Sequence, residues 1–431
     1  MLLAIFLGML ILLFLIGFPV PYAIALTALT VMVFQRGIGG IQYTMIAQRL
    51  VYGVNNFTLL AIPFFLLAGK FMNTGSITKK IFDFCNIIVG WIPGGLGHAN
   101  VVASIIFAGM SGSAVADASG LGVIEVRAMK EQGFDVPFSA AITAASSTIG
   151  PIIPPSIPLI VFGVSADASI ARLLMAGVVP GLLMGLFLMI MVYYYAIKRN
   201  YPRTKFPKIG EIWNSFKAAF FPLLTPVILI GGILVGIFTA TEAAVVAVIY
   251  AFILTVIVYK ELSFKDVYNV MLDTLKETAV ILFIIACSSL YGWLLVRTQM
   301  PNLFMNAIFE VSQNKYVVLL LINLFLLVVG CFMETNAAIM ILTPIMVPLA
   351  AQLGINPVHL GIVMVLNLMI GLLTPPIGMC LYAVARVAEI SFDTMVRAVL
   401  PFYIPLLAVL ALVTIFPEIA IWLPRVLFGT V

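Results

Sequence analysis

The chain consists largely of long apolar runs separated by short polar islands. A hydrocarbon core about 30 Å thick requires about 20 apolar residues from a helix that crosses it. The runs predict membrane spans over residues 1–16, 22–34, 58–72, 171–197, 221–238, 243–259, 267–296 and 398–428. Residues 35–55 contain Gln42, Arg49 and Asn55 and are expected to leave the membrane. The pattern therefore predicts an all-α polytopic membrane protein.

Two of the apolar runs are interrupted in the same way. Residues 150–156 read Gly-Pro-Ile-Ile-Pro-Pro-Ser and residues 371–377 read Gly-Leu-Leu-Thr-Pro-Pro-Ile, so the spacing from Gly150 to Gly371 also separates the two proline pairs. A proline pair removes two backbone N–H donors, and glycine lowers the cost of an irregular turn. In lipid, such a break is tolerated only where the freed backbone groups face protein or water. We therefore predict two broken helices, over residues 137–162 and 357–386.

An apolar stretch with small and polar residues at its middle precedes each broken helix. The first covers residues 98–127 with its centre at 109–120, and the second covers residues 317–349 with its centre at 330–336. The spacing between the two breaks also carries Gly109 onto Gly330. Because the arms of the first stretch are only about a dozen residues each, too short to cross a membrane alone, we expect it to form a re-entrant hairpin that enters and leaves on one face, and the second stretch to correspond to it.

A short stretch of mixed polarity precedes each hairpin, over residues 81–91 and 301–315. Both stretches suit helices that lie along the membrane interface and act as arms. With these arms included, the whole order of elements recurs, which divides the chain into repeats over residues 1–220 and 221–431. Each repeat crosses the membrane five times, an odd number, so the second repeat is expected to be inverted relative to the first.

Composition excludes a soluble globule. The 431 residues are 63% hydrophobic and 9% charged, whereas soluble domains are roughly 45 to 50% apolar. The apolar start lacks a basic leader and a small-residue cleavage site, so we expect it to be retained as the first span. Four scattered cysteines and two isolated histidines show neither metal nor redox spacing. Without a catalytic set of residues, an enzyme is not expected.

The placement of basic residues predicts the orientation in the membrane. Lys and Arg concentrate in cytoplasmic loops, and the densest basic island covers residues 198–208. Placing that island inside puts 16 of the 22 Lys and Arg inside and six outside, with the N-terminus on the periplasmic side. A nucleic-acid partner is not expected, because its basic stripe would need a water-exposed face.

Hairpin tips and helix breaks that meet within a membrane offer backbone carbonyls and hydroxyls as hard oxygen ligands beside the positive ends of half-helices. With few carboxylates available, these oxygens favour Na⁺. The candidate Na⁺ ligands are Ser111, Ser113, Gly150, Ile153, Pro155, Gly330, Thr335, Thr374, Gly378 and Met379. The candidate substrate-binding residues are Ser111, Asp117, Ser156, Thr335 and Asn336.

Structural roles compete with these assignments. Ser and Thr in membrane helices commonly bond their own backbone or a neighbouring helix. Asp117 and Glu334 are the predicted intramembrane acids, and such residues are functional by default. Asp117 is equally suited to cap the second arm of its hairpin, and Glu334 to lie at a wet hairpin mouth.

Four motifs carry a resemblance that covers essentially the full length. They are AIPFF at residues 61–65 followed by AG at 68–69, GSAVAD at 112–117, AASSTIGPIIPPS at 144–156 and LTPPIG at 373–378. In these motifs the chain resembles the large membrane subunit of the tripartite ATP-independent periplasmic (TRAP) transporters.

The resemblance implies an elevator-type secondary transporter of the bacterial inner membrane. It implies Na⁺-coupled uptake of an organic acid, such as sialic acid or a C4-dicarboxylate, from a soluble periplasmic binding protein. It also implies a small four-helix membrane subunit, here expected as a separate chain, and Na⁺ sites at the hairpin tips and breaks. No cofactor is expected beyond Na⁺ as the coupling ion.

Other classes remain open on the sequence alone. A single-chain divalent-anion/Na⁺ symporter has the same inverted-repeat architecture and needs no binding protein. An ion channel would present a continuous pore lined by rings of like residues, which the hairpins disfavour. An intramembrane hydrolase would need a nucleophile elbow or a metal-binding helix, and neither motif is present.

Overall fold

The structure, a computed structural model, describes residues 2–73 and 75–429. Within these residues the regular elements are all helical and no strand is present. Seven of the described helices are long and apolar enough to cross a membrane, or eight if one bent pair counts as a single span. The prediction of an all-α polytopic membrane protein is therefore confirmed.

Among the described residues, the first half of the chain contains eleven α-helices. They are α1 Leu2–Leu15, α2 Val20–Arg36, α3 Tyr43–Val54, α4 Ala61–Met72, α5 Gly75–Val89, α6 Gly95–Ser111, α7 Ala114–Ser119, α8 Leu121–Glu131, α9 Val136–Ser147, α10 Ile157–Ala166 and α11 Ile170–Arg199. The predicted arm lies in α5, the predicted hairpin in α6 to α8, and the predicted broken helix in α9 and α10.

The described part of the second half contains eleven more α-helices, the first of which begins at Ile209, so the predicted repeat boundary between residues 220 and 221 lies within a helix. They are α12 Ile209–Leu234, α13 Ala240–Phe252, α14 Phe264–Arg297, α15 Met300–Val311, α16 Lys315–Phe332, α17 Thr335–Gln352, α18 Pro357–Gly371, α19 Met379–Ala388, α20 Phe392–Val399, α21 Tyr403–Ile415 and α22 Glu418–Phe428. The spacing between the two breaks also holds for helix boundaries, since α9 begins at Val136 and α18 at Pro357.

The two repeats differ where α3 and α4 correspond to the single long helix α14. Residues 43–54 were expected outside the membrane, but they form a helix that joins α4 through a 58° bend, and the pair is apolar enough to count as one span. The apolar side of α3, including Ile46 and Leu50, packs on the core. Arg49 lies on the same side and stacks over the Trp293 ring of α14 at 5.2 Å. Packing against α14 therefore accommodates this charged residue within the helix.

Two further boundaries depart from the hydropathy pattern. The last predicted span, residues 398–428, is divided between α21 and α22 by a break at Phe416 and Pro417. The second arm of the first hairpin is divided between α7 and α8 at Gly120. A Cβ on Gly120 would lie 1.9 Å from the Asn73 side-chain nitrogen, so that side chain would have to move to admit a larger residue.

Helix packing groups most helices into two bodies, which also pack on each other, α14 on α17 and α4 on α6. Helices α1 to α4 and α12 to α14 pack on one another as a scaffold, while α6 to α11 and α16 to α22 form a hairpin body. Each hairpin packs on the broken helix of its own repeat, α6 on α9 and α16 on α18. The second arm of each hairpin also packs on the broken helix of the other repeat, α7 and α8 on α19 and α17 on α10. The repeats therefore interlock at their breaks.

Candidate functional site

A cavity of about 410 Å³ lies where the two hairpin tips and the two breaks come together. The hairpin body contributes residues from four separate segments to its wall. They are Gly112, Ser113, Ala114 and Val115 from the first tip, Pro151, Ile157 and Pro158 from the first break, Glu334, Thr335 and Asn336 from the second tip, and Leu372 and Met379 beside the second break. The tips and breaks thus meet, as the repeat pattern predicts.

The first break is an irregular segment between α9 and α10. Tight turns follow α9, with the Ile149 and Gly150 amides donating to the carbonyls three residues earlier at 3.0 and 3.1 Å. Ser156 then restarts the helix, because its hydroxyl accepts from the Leu159 amide at 3.2 Å. The same hydroxyl donates to the Pro151 carbonyl, which ties the two ends of the break together.

The second break has the same construction with different partners. The Leu373 and Thr374 amides donate to carbonyls three residues earlier, at 3.0 and 2.9 Å. Gly378 has φ +50°, a backbone conformation that favours glycine, and it precedes α19. Tyr403 on α21 donates its hydroxyl to the Leu373 carbonyl at 2.5 Å. The proline pair of each break contains a cis peptide bond.

The first hairpin tip is positioned by a glycine and a helix cap. Gly112 has φ +61°, and a Cβ there would lie 2.6 Å from the Pro155 carbonyl oxygen, so only glycine allows the tip to approach the break this closely. The Ser113 hydroxyl caps α7 by accepting from the Ala116 amide at 3.4 Å. The first tip is therefore fixed against the first break by backbone contact.

The second hairpin tip uses a carboxylate for the same purpose. Glu334 is the counterpart of Ser113 in the second repeat and caps α17 by accepting from the Ala337 amide at 3.0 Å. It also accepts from the Asn336 amide nitrogen at 2.7 Å. The Thr335 hydroxyl and the Asn336 amide oxygen are buried, make no hydrogen bond among the described residues and belong to residues that line the cavity. These two oxygens are available to a ligand.

Asp117 lies behind the first tip. One of its carboxylate oxygens accepts from the Ser111 hydroxyl. The other has no hydrogen-bond partner among the described residues and faces Gly150, where a Cβ would lie 2.5 Å away. Since its side chain is 2% exposed, Asp117 does not line the cavity in this conformation.

Some of the predicted Na⁺ and substrate residues line a cavity, and the others lie behind the cavity wall, in what we call the layer behind. Ser113, Thr335, Asn336 and Met379 line the cavity. Gly330, Gly378 and Met379 line a neighbouring cavity of about 150 Å³ beside the second tip. The remaining candidates belong to the layer behind: Ser111, Asp117, Gly150, Ile153, Pro155, Ser156 and Thr374.

The scaffold supplies a side of the cavity that sequence reasoning missed. Helix α14 contributes Lys276 and Glu277 together with an apolar strip formed by Val280, Ile281 and Ile284. Glu277 pairs with Lys70 of α4 at 2.8 Å, and Lys276 pairs with Asp273 at 3.3 Å. The signal was present in the sequence, because charged residues interrupt an otherwise apolar run.

Sequence reasoning also missed Glu125, a buried carboxyl on α8. Its Oε2 accepts from the Asn100 amide at 2.8 Å, and that amide also donates to the Thr143 hydroxyl at 2.7 Å. Ser146 on α9 donates to the Asn100 oxygen at 2.7 Å. The second repeat has a related polar link, where Asn367, the counterpart of Ser146, donates to Asn323 of α16 at 2.8 Å.

The fold and the convergent cavity define a multi-pass membrane transporter built from two related halves. Over residues 7–419 the chain matches the family described as the tripartite ATP-independent periplasmic transporter, DctM component. It is 44% identical to the sialic acid TRAP transporter large permease protein SiaM of Vibrio cholerae, over 96% of each chain. It is 39% identical to the C4-dicarboxylate TRAP transporter large permease protein DctM of Pseudomonas aeruginosa, over 92% of each chain. The chain belongs to this family of large permease subunits.

A solved structure is similar in fold. The crystal structure of the YdaH transporter of Alcanivorax borkumensis superposes with a TM-score of 0.64 over 89% of each chain, at 14% sequence identity. At that identity the likeness concerns the fold alone.

Proposed function

We propose that this chain takes up a small organic acid together with Na⁺ and receives that acid from a periplasmic binding protein. The observation that carries the proposal is the cavity where both hairpin tips and both breaks converge on α14. Discontinuous helices that meet at mid-membrane are the usual construction of ion and substrate sites in secondary transporters.

The oxygens at the tips support Na⁺ as the coupling ion. Thr335 and Asn336 present unpartnered oxygens at the cavity, and Ser113 lies at its opposite tip. Hydroxyl, amide and carbonyl oxygens are hard ligands that suit a small alkali cation. Na⁺ at the tips orders the side chains that then hold the acid, so that binding of one ligand favours the other.

An organic acid suits the size of the cavity. A volume of about 410 Å³ lies within the range of roughly 300–1,000 Å³ typical of small-molecule sites. Lys276 and the start of α10 at Ile157 line the wall and each favours a carboxylate, while Glu277 at the same wall is paired with Lys70. Since the relatives are named for sialic acid and C4-dicarboxylates, sialic acid or another small carboxylate is the proposed substrate class.

The division into two bodies supports an elevator movement. The hairpin body meets the scaffold at close contacts that involve glycine: Gly69 against Ser111, Gly109 against Pro226 and Gly292 against Pro344. Small residues let helices approach closely without interlocking side chains, which suits one body moving past another. The arms α5 and α15 contact both bodies and flex as the hairpin body moves.

The remaining assignments follow from the family. The name of the family supports a periplasmic binding protein and a small membrane subunit as partners. The lipid environment is the bacterial inner membrane, with the N-terminus on the periplasmic side because the basic island at residues 198–208 then lies in the cytoplasm.

The proposal is tested by reconstituting the chain with its small subunit in proteoliposomes and measuring uptake of labelled sialic acid and labelled C4-dicarboxylates. We expect concentrative uptake of one of these acids only when an inward Na⁺ gradient and the binding protein are both supplied. Uptake that persists without the binding protein identifies a single-chain symporter and contradicts the proposal. Uptake that follows the substrate gradient alone identifies a channel.

A further inference from the structure

Glu125 lies inside the hairpin body, away from the cavity. It is 1% exposed and sits on α8, which packs against α6, α7, α9 and α19. One carboxyl oxygen accepts from Asn100, and the other is buried without a hydrogen-bond partner among the described residues. Neither the cavity at the tips nor the proposed Na⁺ ligands use this residue.

The groups that face Glu125 supply no positive charge. They are Cys85 on α5, Asn100 on α6, Asp117 on α7 and Thr143 on α9. From α19, Cys380 lies beside Asp117. Among the described residues no Lys, Arg or His pairs with Glu125, and the basic residues of its own helix point elsewhere, with Arg127 paired to Glu131.

An ionised carboxylate in this position would be a buried charge beside a second acid. Burying an unpaired charge is so unfavourable that the group takes up a proton instead. A protonated carboxyl fits the contacts seen, because one oxygen keeps the Asn100 hydrogen bond and the other carries the proton. Asp117, itself a buried acid nearby, strengthens this preference, since two neighbouring acids resist ionising together.

We propose that Glu125 is a proton-binding site of the hairpin body, occupied at neutral pH and distinct from the sites for Na⁺ and the organic acid. The neutral acid allows the hydrogen bonds from Asn100 on α6 to Glu125 on α8 and Thr143 on α9, the polar link of this site, to remain buried as the hairpin body moves. Loss of the proton at alkaline pH leaves a bare charge in this link and loosens the hairpin from its broken helix. The proposal concerns the folded chain itself and does not depend on its substrate.

The test is infrared spectroscopy of the purified full-length protein, which separates the carbonyl band of an un-ionised carboxyl from the bands of a carboxylate. At neutral pH we expect the wild-type spectrum to contain a band of an un-ionised carboxyl that the spectrum of Glu125→Gln lacks. The matched control is Glu131→Gln on the same helix, an exposed residue paired with Arg127, which removes a carboxylate band instead. Labelling glutamate with ¹³C separates Glu125 from Asp117.

Stability provides the second measurement. We expect the melting temperature of the wild type to fall from neutral to alkaline pH more steeply than that of Glu125→Gln, because glutamine reproduces the neutral acid at every pH. If Glu125→Gln does not fold, the ¹³C-glutamate-labelled Glu334→Gln protein is titrated instead. Its un-ionised glutamate band must disappear at alkaline pH. A carboxylate band at neutral pH in the difference spectrum of wild type and Glu125→Gln would overturn the proposal. So would equal slopes of melting temperature against alkaline pH in these two proteins.

Discussion

Gly330, near the end of the first arm of the second hairpin, lies directly against Gly371, where the second broken helix is interrupted. A Cβ on Gly371 would come within 2.5 Å of the Gly330 backbone. Two backbones therefore touch where a hairpin and a broken helix meet, and neither side can give way by moving a flexible side chain.

Gly371→Ala is expected to destabilise the protein, although alanine ordinarily favours a helix over glycine. Overpacking a filled contact costs typically about 1–3 kcal/mol, so the melting temperature in detergent should fall. The matched control is Gly231→Ala in α12, where a Cβ meets nothing within 4 Å. Equal melting temperatures for the two variants would show that the contact between Gly330 and Gly371 is looser than described.

Na⁺ affinity should depend on one residue from each repeat. We expect Ser113→Ala and Thr374→Ala each to raise the Na⁺ concentration needed for half-maximal uptake in proteoliposomes, because each removes an oxygen near a tip or a break. Ser119→Ala and Thr343→Ala are the controls, since their hydroxyls donate to carbonyls four residues earlier, as that of Thr374 does, but neither residue is a candidate Na⁺ ligand. Unchanged Na⁺ dependence in both test variants would remove these residues from the proposed site.

Recognition of the acid should involve the scaffold. Lys276→Gln removes the positive charge at the cavity wall, so we expect a higher KM for the organic acid with little change in the Na⁺ dependence. The control is Lys265→Gln, near the start of the same helix and outside the cavity. A larger effect from the control than from Lys276→Gln would place the carboxylate elsewhere.

A hydrogen-bonded group fixes the basic loop after α11 to the loop before α9. The Tyr201 hydroxyl donates to Asp135 at 2.7 Å, and Arg199 pairs with the same carboxylate at 2.7 Å. Burial, together with the hydrogen bond to Asp135, raises the pKa of Tyr201 from 10.0 to about 12. The pKa of Tyr201 is higher in the folded state than in the unfolded state. Its protonated hydroxyl therefore stabilises the fold fully below pH 10, and this stabilisation is lost as the pH rises towards 12.

Tyr201→Phe should therefore lower the free energy of unfolding by about 1 kcal/mol at neutral pH and reduce the loss of stability in the alkaline range. Tyr193→Phe, whose ring is exposed, is the matched control. Thermal melts across the pH range provide the measurement. Parallel curves for wild type and Tyr201→Phe above pH 10 would contradict the assigned role of this hydroxyl.

The repeated proline pairs made the architecture predictable. The proline pairs predicted both breaks, because only an irregular backbone accommodates those residues within an apolar run. The same spacing separates Gly109 from Gly330, which predicted both hairpin tips. The bend between α3 and α4 was missed because Gln42 and Arg49 raise the polarity of the stretch, whereas in the fold Gln42 only precedes α3 and Arg49 stacks on Trp293.

The site was harder to predict at the level of single residues. Thr335 and Ser113 reach the cavity, whereas Ser156 was assigned to substrate but gives its hydroxyl to the backbone of the break. Sequence does not distinguish these cases, because a serine before a half-helix serves equally as a ligand or as a cap. Lys276 was passed over because its position relative to the tips depends on long-range packing.

Alternating access at the tips is the central claim, and cysteine labelling tests it most directly. Single cysteines are placed at Val115 and Thr335, which line the cavity from the two tips, in a variant whose native cysteines are replaced, and an impermeant maleimide is added from either side of oriented proteoliposomes. We predict that the side from which each position reacts changes when Na⁺ and the organic acid are supplied. Reaction of both positions from one and the same side under every condition would contradict the account.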